Sequence, residues 1–209
     1  MGNVAKSVEA RIKEMGEGAI FFHSDFADLG PSEATRKAVK RLCDKGVIRR
    51  CARGIYNKPE YGTFFGHREI APSSIDLAKA YARNKGINLY MTEDAALNLL
   101  GLDTQNQMKT VYLTDGPSVM VKTVSGGMFK LEHTSDKNLA HYSSRKMQLL
   151  NLALSGYDRT RIDIELDDET KDKIRHIVSE IDNQVFSHDI KLMASWKRNL
   201  IYSLLRSRS

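Results

Sequence analysis

Two groups of cationic side chains in this 209-residue chain have types and spacing suited to holding a polyanion. Arg36, Lys37 and Lys40 recur within a helical pattern. At roughly 100° per residue they share one face with Glu33, opposite Ala34, Ala38, Val39 and Leu42. Arg49, Arg50 and Arg53 follow around a turn at Ala52-Arg53-Gly54, between strand-like residues 47–51 and 55–58. A helix fits the major groove of B-DNA, where base edges present a distinguishable donor and acceptor code. A hairpin of arginines beside it suits phosphates. The candidate DNA-binding set is therefore Ser32, Glu33, Arg36, Lys37, Lys40, Arg49, Arg50 and Arg53. A basic helix face alone is most often a solvated face. Here a capped turn precedes it and a basic hairpin follows, and that order favours nucleic acid.

The elements that must position these residues lie in residues 20–58. Ile20-Phe21-Phe22 opens the stretch as a short apolar run. Ser24 and Asp25 offer N-cap oxygens for a short helix that Gly30 and Pro31 stop. Ser32 is expected to cap a second helix, residues 33–45, with Gly46 at its C′ position. Upstream, Val4, Val8, Ile12 and Met15 mark an amphipathic helix ending at Gly16 or Gly18, which packs beneath the pair. Helix, tight turn, basic helix, basic hairpin is the order of a winged helix-turn-helix. The small alanines let the second helix approach the first while its cationic face stays outward.

The run SVEARIKEMGEGAIFFHSDFADLG, the helix EATRKAVKRL and the hairpin VIRRCARGIYNKP resemble the winged-helix start of AbiEi-type antitoxins. Further along, TEDAALNLLGLDTQ, KTVYLTDG and FKLEHTSDKNLAHY resemble the segments that follow it in that family. The resemblance covers residues 7–154 and stops short of the last fifty or so. It implies an antitoxin of a type IV toxin–antitoxin system linked to abortive phage infection. Such a protein represses its own operon and opposes a nucleotidyltransferase-like toxin, without necessarily forming a stable complex. Its implied partners are operator DNA, on which it can pair, and the functional effect of that toxin.

Bulk properties narrow the alternatives. Apolar content of 41% and charged content of 28% are those of a soluble globular chain, and no apolar run approaches a membrane span. The N-terminus MGNVAKSVEAR has no signal-peptide core, and its partial myristoylation match fails at Lys6. The expected location is cytoplasmic, with Cys43 and Cys51 as reduced thiols. The net charge of +6 is uneven: residues 1–58 carry +5, residues 59–190 carry −4 and residues 191–209 carry +5. A polyanion therefore fits the N-terminal part better than it fits the chain as a whole.

The expected domains are 1–58 (winged helix-turn-helix), 59–72 (a linker or ordered crossing loop) and 73–209. In the linker, Tyr61, Phe64 and Phe65 are apolar enough to pack on a neighbour. Beyond it, Ser73 or Ser74 and then Thr92 cap two helices. Strand-like runs at residues 110–113, 119–122 and 128–131 are separated by Asp115-Gly116-Pro117 and Gly126-Gly127. A helix begins near Ser144, and two more span residues 167–181 and 189–205. The fold class is thus α+β, with a small antiparallel sheet and several helices. In the last helix Met193, Trp196, Leu200 and Leu204 form a stripe, with Trp196 expected to pack on Ile174, Ile177 and Ile181. Lys197, Arg198, Arg206 and Arg208 leave the same segment cationic, a candidate second polyanion contact.

Catalytic chemistry finds little support. The six histidines have no HxxxH or HExxH spacing, and no GxxxxGK[ST] loop is present. SxxK at Ser143–Lys146 stands without its companion motifs. Asp163, Glu165, Asp167, Asp168 and Glu169 could recruit a divalent ion, but such a run more often begins a helix, where the dipole favours it. No cofactor, metal or enzymatic activity is expected. Two function classes remain: the DNA-binding antitoxin, and a winged-helix transcription regulator whose second domain senses a ligand or dimerises. A neighbouring nucleotidyltransferase-like gene separates them.

Overall fold

The spacing of Val8 and Ile12 is realised in α1 (Gly2–Glu14), which buries both. There follow β1 (Ile20–Phe22), a 3₁₀ helix (His23–Leu29), α2 (Ser32–Asp44), β2 (Arg49–Ala52), β3 (Ile55–Asn57), β4 (Glu60–Gly62), β5 (Arg68–Ile70) and α3 (Ser74–Lys85). Next come β6 (Leu89–Tyr90), α4 (Glu93–Leu99), β7 (Thr110–Thr114), β8 (Val119–Lys122) and β9 (Met128–His133). The chain ends with a 3₁₀ turn (Lys137–His141), α5 (Arg145–Gly156), α6 (Asp168–Ser179), α7 (Asn183–Asp189), a second 3₁₀ turn (Ile190–Leu192) and α8 (Ser195–Arg206). This computed structural model describes residues 2–62, 68–103, 110–157 and 166–206. The fold class is α+β, with antiparallel strand pairs and several helices. Among the described residues no helix is long and apolar enough to cross a membrane.

Two units emerge: Met1–Ile87 with Ser118–Leu131, and Asn88–Pro117 with Glu132–Ser209. The linker expected at residues 59–72 falls inside the first unit. That stretch holds the β4–β5 hairpin, paired Glu60 to Ile70 and Gly62 to Arg68. Phe64 and Phe65 lie outside the described residues.

The first unit has its core between α1, α2 and a small sheet. Val8, Ile12, Phe21, Phe26, Ala38, Val39, Leu42 and Ile48 are buried together. Phe21 meets Phe26 edge-on, ring centres 5.7 Å apart. The sheet order is β1-β3-β2, antiparallel throughout, with a register shift between Arg50 and Ala52. The order of elements is compatible with a winged helix. The short helix expected after Phe22 is of the 3₁₀ kind, and Asp25 caps it in reverse, accepting from the Phe22 N–H at 2.9 Å. Gly30 is required where it stands: a Cβ there would come within 2.8 Å of Val4 Cγ2. Ser73, as expected, caps α3 by accepting from the Asp76 N–H. In the same unit β8 pairs with β9, and Phe129 lies buried against the Tyr81 ring.

The second unit is mainly helical. α4 follows its Thr92 cap, and β6 pairs with β7. Tyr90, Ala96, Leu97, Leu113, Leu139 and Leu152 form one buried cluster. Met147, Leu150, Ile174, Val178, Met193 and Ile201 belong to another. Two expectations fail here. The helix expected at residues 189–205 starts only at Ser195, because Asp182 caps a separate helix, α7, through the Gln184 and Val185 N–H groups. The expectation that Trp196 packs into the core also fails: it is 40% exposed, and Lys197 beside it is 5% exposed. The helix is rotated so that Lys197, Ile201 and Leu204 point inward.

Candidate nucleic-acid interface

The face that α2 presents follows from the face it buries. Thr35, Ala38, Val39 and Leu42 turn inward, so Ser32, Glu33, Arg36, Lys37, Lys40 and Arg41 are exposed. On α2 the side chains of Arg36, Lys40 and Arg41 are engaged by no ion pair or hydrogen bond among the described residues. Lys37 is partly neutralised by Glu33 one turn earlier, at 2.6 Å. Ser32 is not the cap: Pro31 occupies that position and no side-chain oxygen caps the helix. Its own carbonyl accepts from Thr35 Oγ1 instead, at 3.0 Å. Arg41 joins the exposed cations although sequence reasoning passed over it. Its place four residues after Lys37 was the available signal.

Past α2, Gly46 adopts a positive φ of 72° and the chain enters β2. The three arginines there have three different situations. Arg53 stands exposed in the turn beside Gly54, whose φ of 78° closes it. Arg50 is exposed, with Nε donating to the Ala52 carbonyl at 3.3 Å. Arg49 is held: Nε and Nη2 both reach Glu69 Oε2 at 3.0 Å, and Nη1 donates to the Gly46 carbonyl at 2.6 Å. It therefore does not stand open as Arg53 does. Between them Cys51 is buried, its thiol donating to Asn57 Oδ1, and burial raises its pKa to about 11. It stays protonated and unreactive at neutral pH.

The arginine and lysine of α1 and β3's end are structural. Arg11 makes a forked pair with Asp28, both contacts 2.7 Å, and holds that carboxyl below its usual range. Lys58 donates to the Lys13 and Met15 carbonyls at the end of α1. Even so, the first unit carries 18 Lys and Arg against 10 Asp and Glu, net +8, and the second 14 against 16, net −2.

The second unit uses its cations differently. Lys197 donates to the Asn151 carbonyl, Asn151 Oδ1 and Ser155 Oγ at 2.7, 2.8 and 2.5 Å. Arg198 donates to Ser195 Oγ, while Arg206 is exposed and Arg208 lies outside the described residues. Of the acidic run, Asp163 and Glu165 lie outside them as well. Asp167 caps α6 by accepting from the Thr170 N–H, and Asp168 and Glu169 pair with Lys171 and Lys173. Among the described residues no three metal-ligating side chains gather. In the SxxK run Ser144 caps α5 and Lys146 pairs with Glu180. Asp189 is fully buried and accepts from the Ser143 and Ser144 N–H groups, a capping role that sequence reasoning missed.

A family model described as a family of unknown function (DUF6088) matches residues 7–185, and the chain belongs to that family. No curated protein matches it.

Proposed function

We propose that this chain is a DNA-binding antitoxin of the AbiEi type, with a winged helix-turn-helix that represses its own operon and a second part that opposes a nucleotidyltransferase-like toxin. One observation carries the DNA-binding half. Arg36, Lys40 and Arg41 on α2 and Arg53 at the following turn are exposed cations within a unit of net charge +8. α2 is the recognition helix of this reading: Arg36 and Lys40 face base edges, and Arg50 and Arg53 hold phosphates. Ser32 and Glu33 stand at the helix's entry to the groove, and Lys37 needs its Glu33 pair loosened to take part. The antitoxin half rests on the resemblance of residues 7–154. The protein acts in the cytoplasm, needs no cofactor, and pairs on its operator.

The test joins two readouts on full-length protein. Mobility shifts on the chain's own promoter should be lost in the Arg36→Ala, Arg53→Ala double variant. Co-expression with a nucleotidyltransferase-like gene, if one adjoins this gene, should relieve that toxin's effect with wild type and with that variant alike. Promoter binding that survives the double variant rules out this contact face. Toxicity that wild type leaves unrelieved rules out the antitoxin role.

A further inference from the structure

Arg49 is the one cation of the candidate contact set held by a carboxylate from a different hairpin. Its Nε and Nη2 converge on Glu69 Oε2 in β5, each at 3.0 Å. That edge of a guanidinium is the one a phosphate oxygen takes in an Arg–phosphate pair. Meanwhile Nη1 donates to the Gly46 carbonyl, just past the C-terminal end of α2, at 2.6 Å. The guanidinium is thereby fixed at the junction of α2 and β2. Both partners keep solvent contact, the Arg49 side chain 40% and that of Glu69 34% exposed. An exposed ion pair of this kind is weak enough for a denser anion to displace. Glu69 and Arg49 both line a cavity of about 210 Å³, with Arg50, Asn57, Leu77 and Val124.

We propose that Glu69 is an intramolecular stand-in for a DNA phosphate at Arg49, so that the β4–β5 hairpin sets how many phosphates the protein neutralises. This rests on the DNA-binding reading above. With Glu69 in place, a backbone phosphate must compete for Arg49, and binding leans on the other cations and on base contacts. Without it, Arg49 becomes an extra, sequence-independent phosphate contact. Glu69 thus acts as a specificity determinant by withholding charge from non-specific DNA.

The experiment compares full-length wild type, Glu69→Gln, Arg49→Ala and the double variant. Each binds a fluorescent mixed-sequence duplex across a salt series, with thermal melting run in parallel. Glu69→Gln is expected to bind tighter at low salt and to steepen the slope of log K against log salt by about 0.9. Across a tenfold rise in salt that is about an eightfold greater loss of affinity. The double variant should follow Arg49→Ala, since the gain acts through Arg49. Unchanged or weaker binding by a folded Glu69→Gln overturns the proposal, because Glu69 then orients Arg49 or does nothing to it. Absence of duplex binding by wild type and every variant overturns the DNA-binding reading itself, and this proposal with it.

Discussion

Arg36, Lys40, Arg41 and Arg53 of the first unit carry side chains that no ion pair or hydrogen bond engages among the described residues. In the second unit Lys146 pairs with Glu180, Lys173 with Glu169, and Arg175 reaches Asp172 and the Leu204 carbonyl. Lys197 is buried altogether, with Asn151 and Ser155 around its ammonium. The first unit thus groups exposed, unengaged cations on α2 and the following turn, with Arg11, Arg49 and Lys58 held, whereas these cations of the second unit are held, with Lys191 and Arg206 exposed. The difference follows from local balance. The first unit has a surplus of cations over carboxylates, so some stay unpaired, whereas the second has slightly more carboxylates than cations.

The sharpest way to break this contrast is at Lys197. Lys197→Met keeps the stem but strips donors from three buried or half-buried acceptors, and should cost about 1–3 kcal/mol of stability. Chemical denaturation should show the loss, while duplex affinity of the folded variant stays at the wild-type value. Reduced affinity at unchanged stability would make Lys197 a ligand group and erase the distinction.

Arg36→Ala probes the opposite case. It should leave the denaturation midpoint within about 0.5 kcal/mol of wild type, as for an exposed residue without partners. Its discrimination among promoter variants, read by competition mobility shifts, should fall by about 1–3 kcal/mol. Arg53→Ala should weaken binding evenly across sequences and reduce the salt slope by about one. Equal salt slopes for wild type and Arg53→Ala would remove the turn from the contact face.

Arg206→Ala should change neither melting temperature nor duplex affinity at any salt concentration. A salt-dependent drop would show that the second unit also holds nucleic acid.

The smallest effect concerns a cation of the first unit that is not open. Asp28 is held below its usual range first by hydrogen bonding from Arg11. Its folded pKa lies below the unfolded value of about 3.9, so the pair's contribution is present above that pH and fades as pH falls through the folded pKa. Asp28→Asn should lower the melting temperature slightly at neutral pH, and the gap should close on acidification. A gap that persists at low pH would mean the Arg11 contact does not depend on charge.

Much of this architecture was legible from spacing. The buried face of α2, Ala38, Val39 and Leu42, follows from helical period, and the caps at Ser73 and Thr92 from side-chain chemistry. The α+β class followed from the same signals. Three things were hidden because they depend on distant partners. Arg49 reads like Arg50 and Arg53 until Glu69, twenty residues on, is brought to it by the β4–β5 hairpin. Lys197 reads as a surface cation until the separate helix α7 and its following turn reset where α8 begins. Asp189 reads as a helix start, whereas its buried carboxylate accepts from the Ser143 and Ser144 N–H groups, 46 and 45 positions earlier in the chain. Period and propensity say which face is apolar; they do not say which charge another hairpin will claim.

DNA is expected to meet the exposed cations of α2 and the β2–β3 turn and to leave the second unit untouched. Lysine-modification footprinting of the full-length protein on a promoter duplex tests it most directly. Lys40 and Lys191 are both exposed, one on α2 and the other between α7 and α8, and each serves as the other's control. Duplex is expected to protect Lys40 from acetylation while Lys191 reacts as in the free protein. Protection of Lys191 with Lys40 left reactive, or protection of neither, would contradict it.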